Sequence, residues 1–215
     1  MQRHRRLLLG AAALIAAPAL ASSRRILAPM TDGPFYPSRG WRDGGPLAGD
    51  WDADLTRTTR GGRTLLARGE HLGLQCTVVD ARGHIVDGAE VEIWQCDALA
   101  HYSHPRVARE PGSFDEGFQG FGAARSARDG TVAFRTIRPV PYPGRTPHIH
   151  VKLRHPGFGE LTSQLFVAGD AGNARDFLWR QVPAEDRPVL EMKLERAPAG
   201  GDLAWVCRHE LVVPA

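Results

Sequence analysis

From Leu72 to Val213 the chain keeps returning to short runs of alternating residues, each cut off by glycine, proline or aspartate. Leu74–Val79, Val91–Trp94, Thr131–Ile137 and Leu161–Val167 are such runs. Alternation with a period of two sends successive side chains to opposite faces of a strand. Between the runs there is no regular series of helical segments of the kind that parallel crossovers need. The pattern therefore specifies an all-β fold, a single-domain β-sandwich. Asp80-Ala81-Arg82-Gly83 reads as a turn, and Val78–Ile93 as a hairpin of a type shared by many sandwich modules. Asn173–Arg187 has room for a short helix limited by Pro183, and Leu190–Leu194 and Leu203–Val213 read as closing strands.

The amino-terminal part has a different character. Arg3, Arg5 and Arg6 precede an apolar run, Leu7–Leu20, and the small-residue site Ala19-Leu20-Ala21. Residues 1–21 are expected to be a cleaved signal peptide, too short for a spanning helix. The pair Arg5-Arg6 before three leucines resembles a twin-arginine signal, so the expected location is outside the cytoplasm. Removing the segment takes three arginines away, and 27 Lys and Arg become 24 against 24 Asp and Glu. A net charge of zero gives no support for a nucleic-acid surface, and no membrane association is expected of the mature protein after signal cleavage.

Residues 22–66 form an extended lead-in, and 67–215 the sandwich domain. Across the whole chain of 215 residues, a hydrophobic content of 42% is enough for one core. Cys76, Cys96 and Cys207 match no zinc spacing and allow at most one internal disulfide; buried thiols are the expectation. The stretch Gln95–Ser126 is too long for a plain connection in a compact domain, which marks it as an active-site loop.

The chemistry concentrates in Pro139–Val151, which holds Tyr142, Arg145, His148 and His150. On a strand, His148 and His150 share a face and make half of a metal site. Two structural histidines would produce the same pattern. Prolines 139, 141, 143 and 147, with Gly144, hold the approach in a nearly fixed path.

Tyr142-Pro143-Gly144-Arg145-Thr146-Pro147-His148-Ile149-His150 resembles the iron-binding segment of the intradiol ring-cleavage dioxygenases, which include the protocatechuate 3,4- and catechol 1,2-dioxygenases. The resemblance implies Fe(III) held by Tyr142, His148, His150 and a second tyrosine upstream. It selects Tyr102, which follows Trp94-Gln95, and leaves His101 and His104 outside the ligand set. The donor types agree with it, because phenolates suit a hard trivalent ion better than Zn2+, Mg2+ or Ca2+. The resemblance further implies a catecholic substrate and O2 as partners, with the ring opened between its two hydroxylated carbons to a muconate-type diacid.

Tyr142 matches the ligand that is displaced and acts as a base, and Arg145 a guanidinium beside the ring. Gln164 and Trp94 match positions that support the ligands. Gly33-Pro34-Phe35-Tyr36 matches a segment near the site mouth, and an aromatic plug pinning the lead-in is the other reading. The resemblance also leaves room for a homo-oligomer. Two further readings stay open at this level, a transthyretin-like sandwich that only binds and a zinc hydrolase using His148 and His150.

Overall fold

A computed structural model describes residues 24–38, 40, 49–104, 106–107 and 112–215. The expected signal, residues 1–21, lies outside the described residues. Strands β3 (His71–Asp80), β6 (Thr131–Ile137), β10 (Glu195–Arg196) and β11 (Trp205–Val213) form a four-stranded sheet in the order β10-β11-β3-β6. Strands β4 (Glu90–Trp94), β5 (Phe121–Arg125), β7 (His148–His155), β8 (Gly159–Val167) and β9 (Glu191–Met192) form a five-stranded sheet in the order β5-β4-β7-β8-β9. The two are the layers of a sandwich. Leu72, Leu74 and Val78 of β3 share one buried core with Val91 of β4 and with Val151 and Leu153 of β7. Among the described residues no helix is long and apolar enough to cross a membrane.

The expected hairpin at Val78–Ile93 is instead an arch, because β3 and β4 belong to different sheets. The chain first doubles back, with Val86 N–H donating to the Val78 carbonyl at 3.0 Å, and then crosses at Gly88, whose φ is +74°. Crossing lets β3 and β4 bury their apolar faces against each other, which pairing in one layer does not. The excursion Gln95–Ser126 contains β5, which pairs with β4 from Glu90↔Arg125 to Trp94↔Phe121. Its sequence, Phe-Gly-Ala-Ala-Arg, carries neither alternation nor β-branched residues, so only tertiary pairing makes it a strand.

The expected strand Leu190–Leu194 shortens to a 3-10 turn, Arg187–Leu190, followed by the two residues of β9. The helix α1 (Phe177–Gln181) is capped by the Asp176 carboxylate and ends before Pro183. All three cysteines are free and buried, and burial pushes the Cys96 thiol up to about 12.

The lead-in is built into this body. Its strands β1 (Arg57–Arg60) and β2 (Arg63–Leu66) pair as a hairpin through Gly61 and Gly62, both at positive φ, the conformation that a two-residue hairpin turn requires. Leu27 and Leu55 are fully buried in the core. Residues 53–55 also cover the open edge of β6. Leu55 N–H donates to the Arg135 carbonyl and Arg135 N–H to that of Ala53, each at 2.8 Å. This close pass depends on Gly122, where a Cβ would lie 2.2 Å from the Asp52 carbonyl oxygen. Gly122→Ala should therefore cost about 1–3 kcal/mol through overpacking against backbone. Thermal unfolding of the purified variant reads this out, and an unchanged midpoint would show that the lead-in yields freely there.

Candidate metal centre

Strand β7 is the middle of its sheet and is buried on both faces. Ile149, Val151 and Leu153 point into the sandwich core, while His148, His150 and Lys152 point to the outer face, where they are 2%, 4% and 3% exposed. That face is covered by the lead-in and by the loop after β4, so its polar side chains must find partners inside the protein. On the neighbouring strands Trp94 and Gln164 stand beside His150 in register.

The approach to β7 is set by a tight turn. Arg145 N–H donates to the Tyr142 carbonyl at 2.8 Å, with Pro143 and Gly144 between them and Gly144 at φ +82°. Proline followed by a residue at positive φ is a type II arrangement. It brings the Tyr142 phenol and the Arg145 guanidinium to one side, with Arg145 Nη1 3.4 Å from the Tyr142 hydroxyl. The Tyr142 ring lies 5.6 Å from that of His148, and the two histidine rings lie 5.0 Å apart.

Tyr102 arrives from the loop after β4. Its ring is 6% exposed and sits 5.7 Å from Tyr142 and 6.2 Å from His150. The structure thus brings the four expected ligands together. His101 is exposed, and His104 lies behind Phe35, at 5.9 Å from its ring, rather than in the cluster. Trp94 stacks on His150 at 4.7 Å with the planes 13° apart, which fixes the imidazole orientation. The Gln164 side-chain oxygen accepts from Arg145 Nη2.

The state of the donors favours a cation. His148 Nδ1 lies 2.7 Å from the Thr146 carbonyl, which can only accept, so the proton sits on Nδ1 and the Nε2 lone pair is free. The Tyr102 hydroxyl, His148 Nε2 and His150 Nδ1 are buried and have no hydrogen-bond partner. A buried polar atom left unpaired costs about 1–3 kcal/mol, and a metal ion ligated by such atoms relieves that cost. Burial, with the nearby Arg145 charge, holds the His148 imidazole down at about 4. Burial, then the His148 and Arg145 charges, keeps His150 well below its usual range.

Both rings therefore stay neutral and able to ligate. Burial, then the neighbouring Tyr142 phenol, raises Tyr102 well above the ordinary phenol range, and burial raises Tyr142 although Arg145 opposes it. These phenols ionise only against a strong positive charge. Among the described residues no group of three or more His, Cys, Asp or Glu is placed to hold a metal. An ion at His148 and His150 must draw on the tyrosines, and two phenols with two imidazoles fit Fe(III).

One contributor was not read from the sequence. Asp176 is fully buried and accepts from Arg145 Nε at 2.8 Å, from Thr146 N–H at 3.0 Å and from Leu178 N–H of α1 at 2.9 Å. An Asp before Phe-Leu-Trp is legible as a helix cap, but its hold on a residue 31 positions earlier is not. Phe35 stacks on Tyr102 at 4.7 Å, which makes Gly33–Tyr36 a packed aromatic cover.

A family model described as a dioxygenase matches residues 45–205. The chain is 30% identical over 187 residues to a catechol 1,2-dioxygenase of Acinetobacter lwoffii, covering 77% of this chain and 58% of that protein. It is 32% identical over 122 residues to a 6-chlorohydroxyquinol 1,2-dioxygenase of Cupriavidus pinatubonensis, covering 48% of this chain and 42% of that one. The chain thus spans about half the length of these curated relatives. Among solved structures, the dioxygenase domain of a dioxygenase and carbohydrate-binding fusion from Streptomyces sp. SirexAA-E superposes with a TM-score of 0.62 at 26% identity, covering 88% of this chain and 99% of that one. A match over most of the chain, on the fold that carries the paired tyrosines and histidines, shows that the protein belongs to the intradiol ring-cleavage dioxygenase family.

Proposed function

We propose that this protein is an Fe(III) intradiol dioxygenase that opens a catecholic ring between its two hydroxylated carbons, giving a muconate-type diacid. The observation that carries the reading is the gathering of the Tyr102, Tyr142, His148 and His150 rings in one cluster, with neighbouring ring centres 5.7, 6.2, 5.6 and 5.0 Å apart, in which the Tyr102 hydroxyl, His148 Nε2 and His150 Nδ1 are buried and unpartnered. Tyr102, Tyr142, His148 and His150 would hold the ion. When bound, ferric iron supplies the Lewis acidity that draws electron density from a catecholate and readies its ring for O2. The relatives act, by their names, on catechol and on a chlorinated hydroxyquinol, so a catecholic substrate is the shared chemistry.

The chain's own residues divide the remaining work. Tyr142 is only part-buried and lies beside Arg145, so with the ion bound its phenolate would be the one placed to accept a substrate proton, becoming the neutral phenol. Tyr102, buried and stacked, is the phenol that stays. Arg145 is always charged and cannot act as a base. Asp176 and Gln164 hold two of its nitrogens, which leaves its charge fixed beside the site to stabilise negative charge on the ring. The reading includes export, which rests on Arg5-Arg6 and the apolar run that follows.

The purified, iron-loaded protein should show a red to brown phenolate charge-transfer band. His148→Ala and His150→Ala should lose iron by metal assay while His101→Ala keeps it. Equal loss in all three would refute this ligand set.

Offered catechol or hydroxyquinol, the enzyme should form a colourless, ultraviolet-absorbing acid. A yellow semialdehyde would place the cleavage outside the two hydroxyls and falsify the intradiol reading.

Arg145→Ala should keep its iron and slow turnover by about a hundred- to a thousandfold. It also strands the buried Asp176 carboxylate, so its melting temperature should fall. Adding Asp176→Asn, which still caps α1, should recover stability but not rate. Recovery of both would make Arg145 a structural residue only.

A further inference from the structure

The outer face of β7 continues past the histidines, and what it holds there is not used by the chemistry above. Lys152 is buried, and its ammonium pairs with Asp32 at 2.6 Å and with Glu160 at 3.4 Å and lies 4.1 Å from the centre of the Tyr36 ring. Asp32 also accepts from the Thr162 hydroxyl at 2.7 Å. Four residues on, the Tyr36 hydroxyl donates to Glu92 at 2.7 Å and accepts from Arg154 at 2.9 Å, and Arg154 pairs with Glu92 at 2.9 Å. Lys152 and Arg154 follow His148 and His150 on the same face, and Glu92 and Thr162 stand in register with Lys152 on either side.

Between these anchors lies Gly33-Pro34-Phe35. Gly33 has φ +73°, and a Cβ there would sit 3.5 Å from His150 Cε1, so the backbone runs directly over that imidazole. Phe35 stacks on Tyr102. The segment thus touches two of the proposed ligands and is tied at both ends to the strand that carries two of them.

We propose that Asp32 and Lys152, with Tyr36, Glu92 and Arg154 as the second anchor, are positioning residues that clamp this strap so that Phe35 holds the Tyr102 ring in place. The inference rests on the metal reading given above. Its chemistry is ordinary. Two charge-assisted contacts fix the ends of a short segment whose proline already limits its path, so the stacked ring between them has little freedom to swing. A clamp of this kind slows ligand departure without donating an atom to the metal.

Asp32→Ala is the first variant, because Asp32 is 38% exposed and Glu160 remains as a partner for the buried Lys152 ammonium. Lys152→Met, which keeps the buried apolar stem, is the second. In the metal-free protein, amide exchange across residues 31–36 should quicken about tenfold in both, as expected for losing a charge-assisted contact. In the iron-loaded protein, release of ferric ion to a strong chelator should quicken by a similar factor, and the charge-transfer maximum should shift as Tyr102 loses its fixed angle. Asp32→Asn, which can still accept from Thr162, should lie between wild type and Asp32→Ala. Wild-type loading with unchanged exchange in the variants overturns the clamp, and so does faster exchange with unchanged iron release. A wild-type protein that takes up no ferric ion overturns the metal reading and this inference with it, a result distinct from either.

Discussion

The structure depends on one strand being buried on both faces. In a two-layer sandwich the outer face of a sheet ordinarily meets water, and polar side chains there need no internal partner. Here the lead-in and the loop after β4 lie over β7, so His148, His150 and Lys152 are as buried as the core residues behind them. Desolvation keeps the imidazoles neutral and the phenols protonated, and it leaves three of the proposed donor atoms without partners. The fit to a cation is thus a consequence of the cover, not of the histidines alone.

Lys152 meets the same condition in the opposite way. Its buried charge is answered by Asp32 and Glu160 rather than by a foreign ion, and Asp32 belongs to the segment that covers the face. One stripe of β7 therefore joins donors that lack a partner to a cation that has one. The sheet register makes this possible, because it puts Trp94 and Gln164 beside His150, and Glu92 and Thr162 beside Lys152.

Arg145 shows how a charge beside the proposed metal site is balanced within the protein. Asp176 is buried with it and takes further hydrogen bonds from Thr146 and from the first turn of α1. The carboxylate caps the helix and balances the guanidinium at once; burial pushes its pKa up, but these donors outweigh it and hold the group below the usual carboxylate range. A five-residue helix that also sends Trp179 into the core thereby fixes the Arg145 side chain.

The sandwich was legible from period-two alternation, because β3, β6, β8 and β11 each have to present one apolar face to a core. The pair of imidazoles on one face of β7, and the tight approach through Pro143 and Gly144, were legible for equally local reasons. Tyr102 was not: no spacing rule connects a loop tyrosine to a strand 46 residues on, and only a resemblance singled it out. Nor could alternation find β5, whose alanines and glycine become a strand by pairing with β4, or show that Val78–Ile93 crosses between layers. Asp176 behind Arg145, and Asp32 on Lys152, are contacts between segments 31 and 120 residues apart. Their geometry exists only once the sheets have closed, since local pattern records which face a side chain takes, and folding alone decides what that face meets.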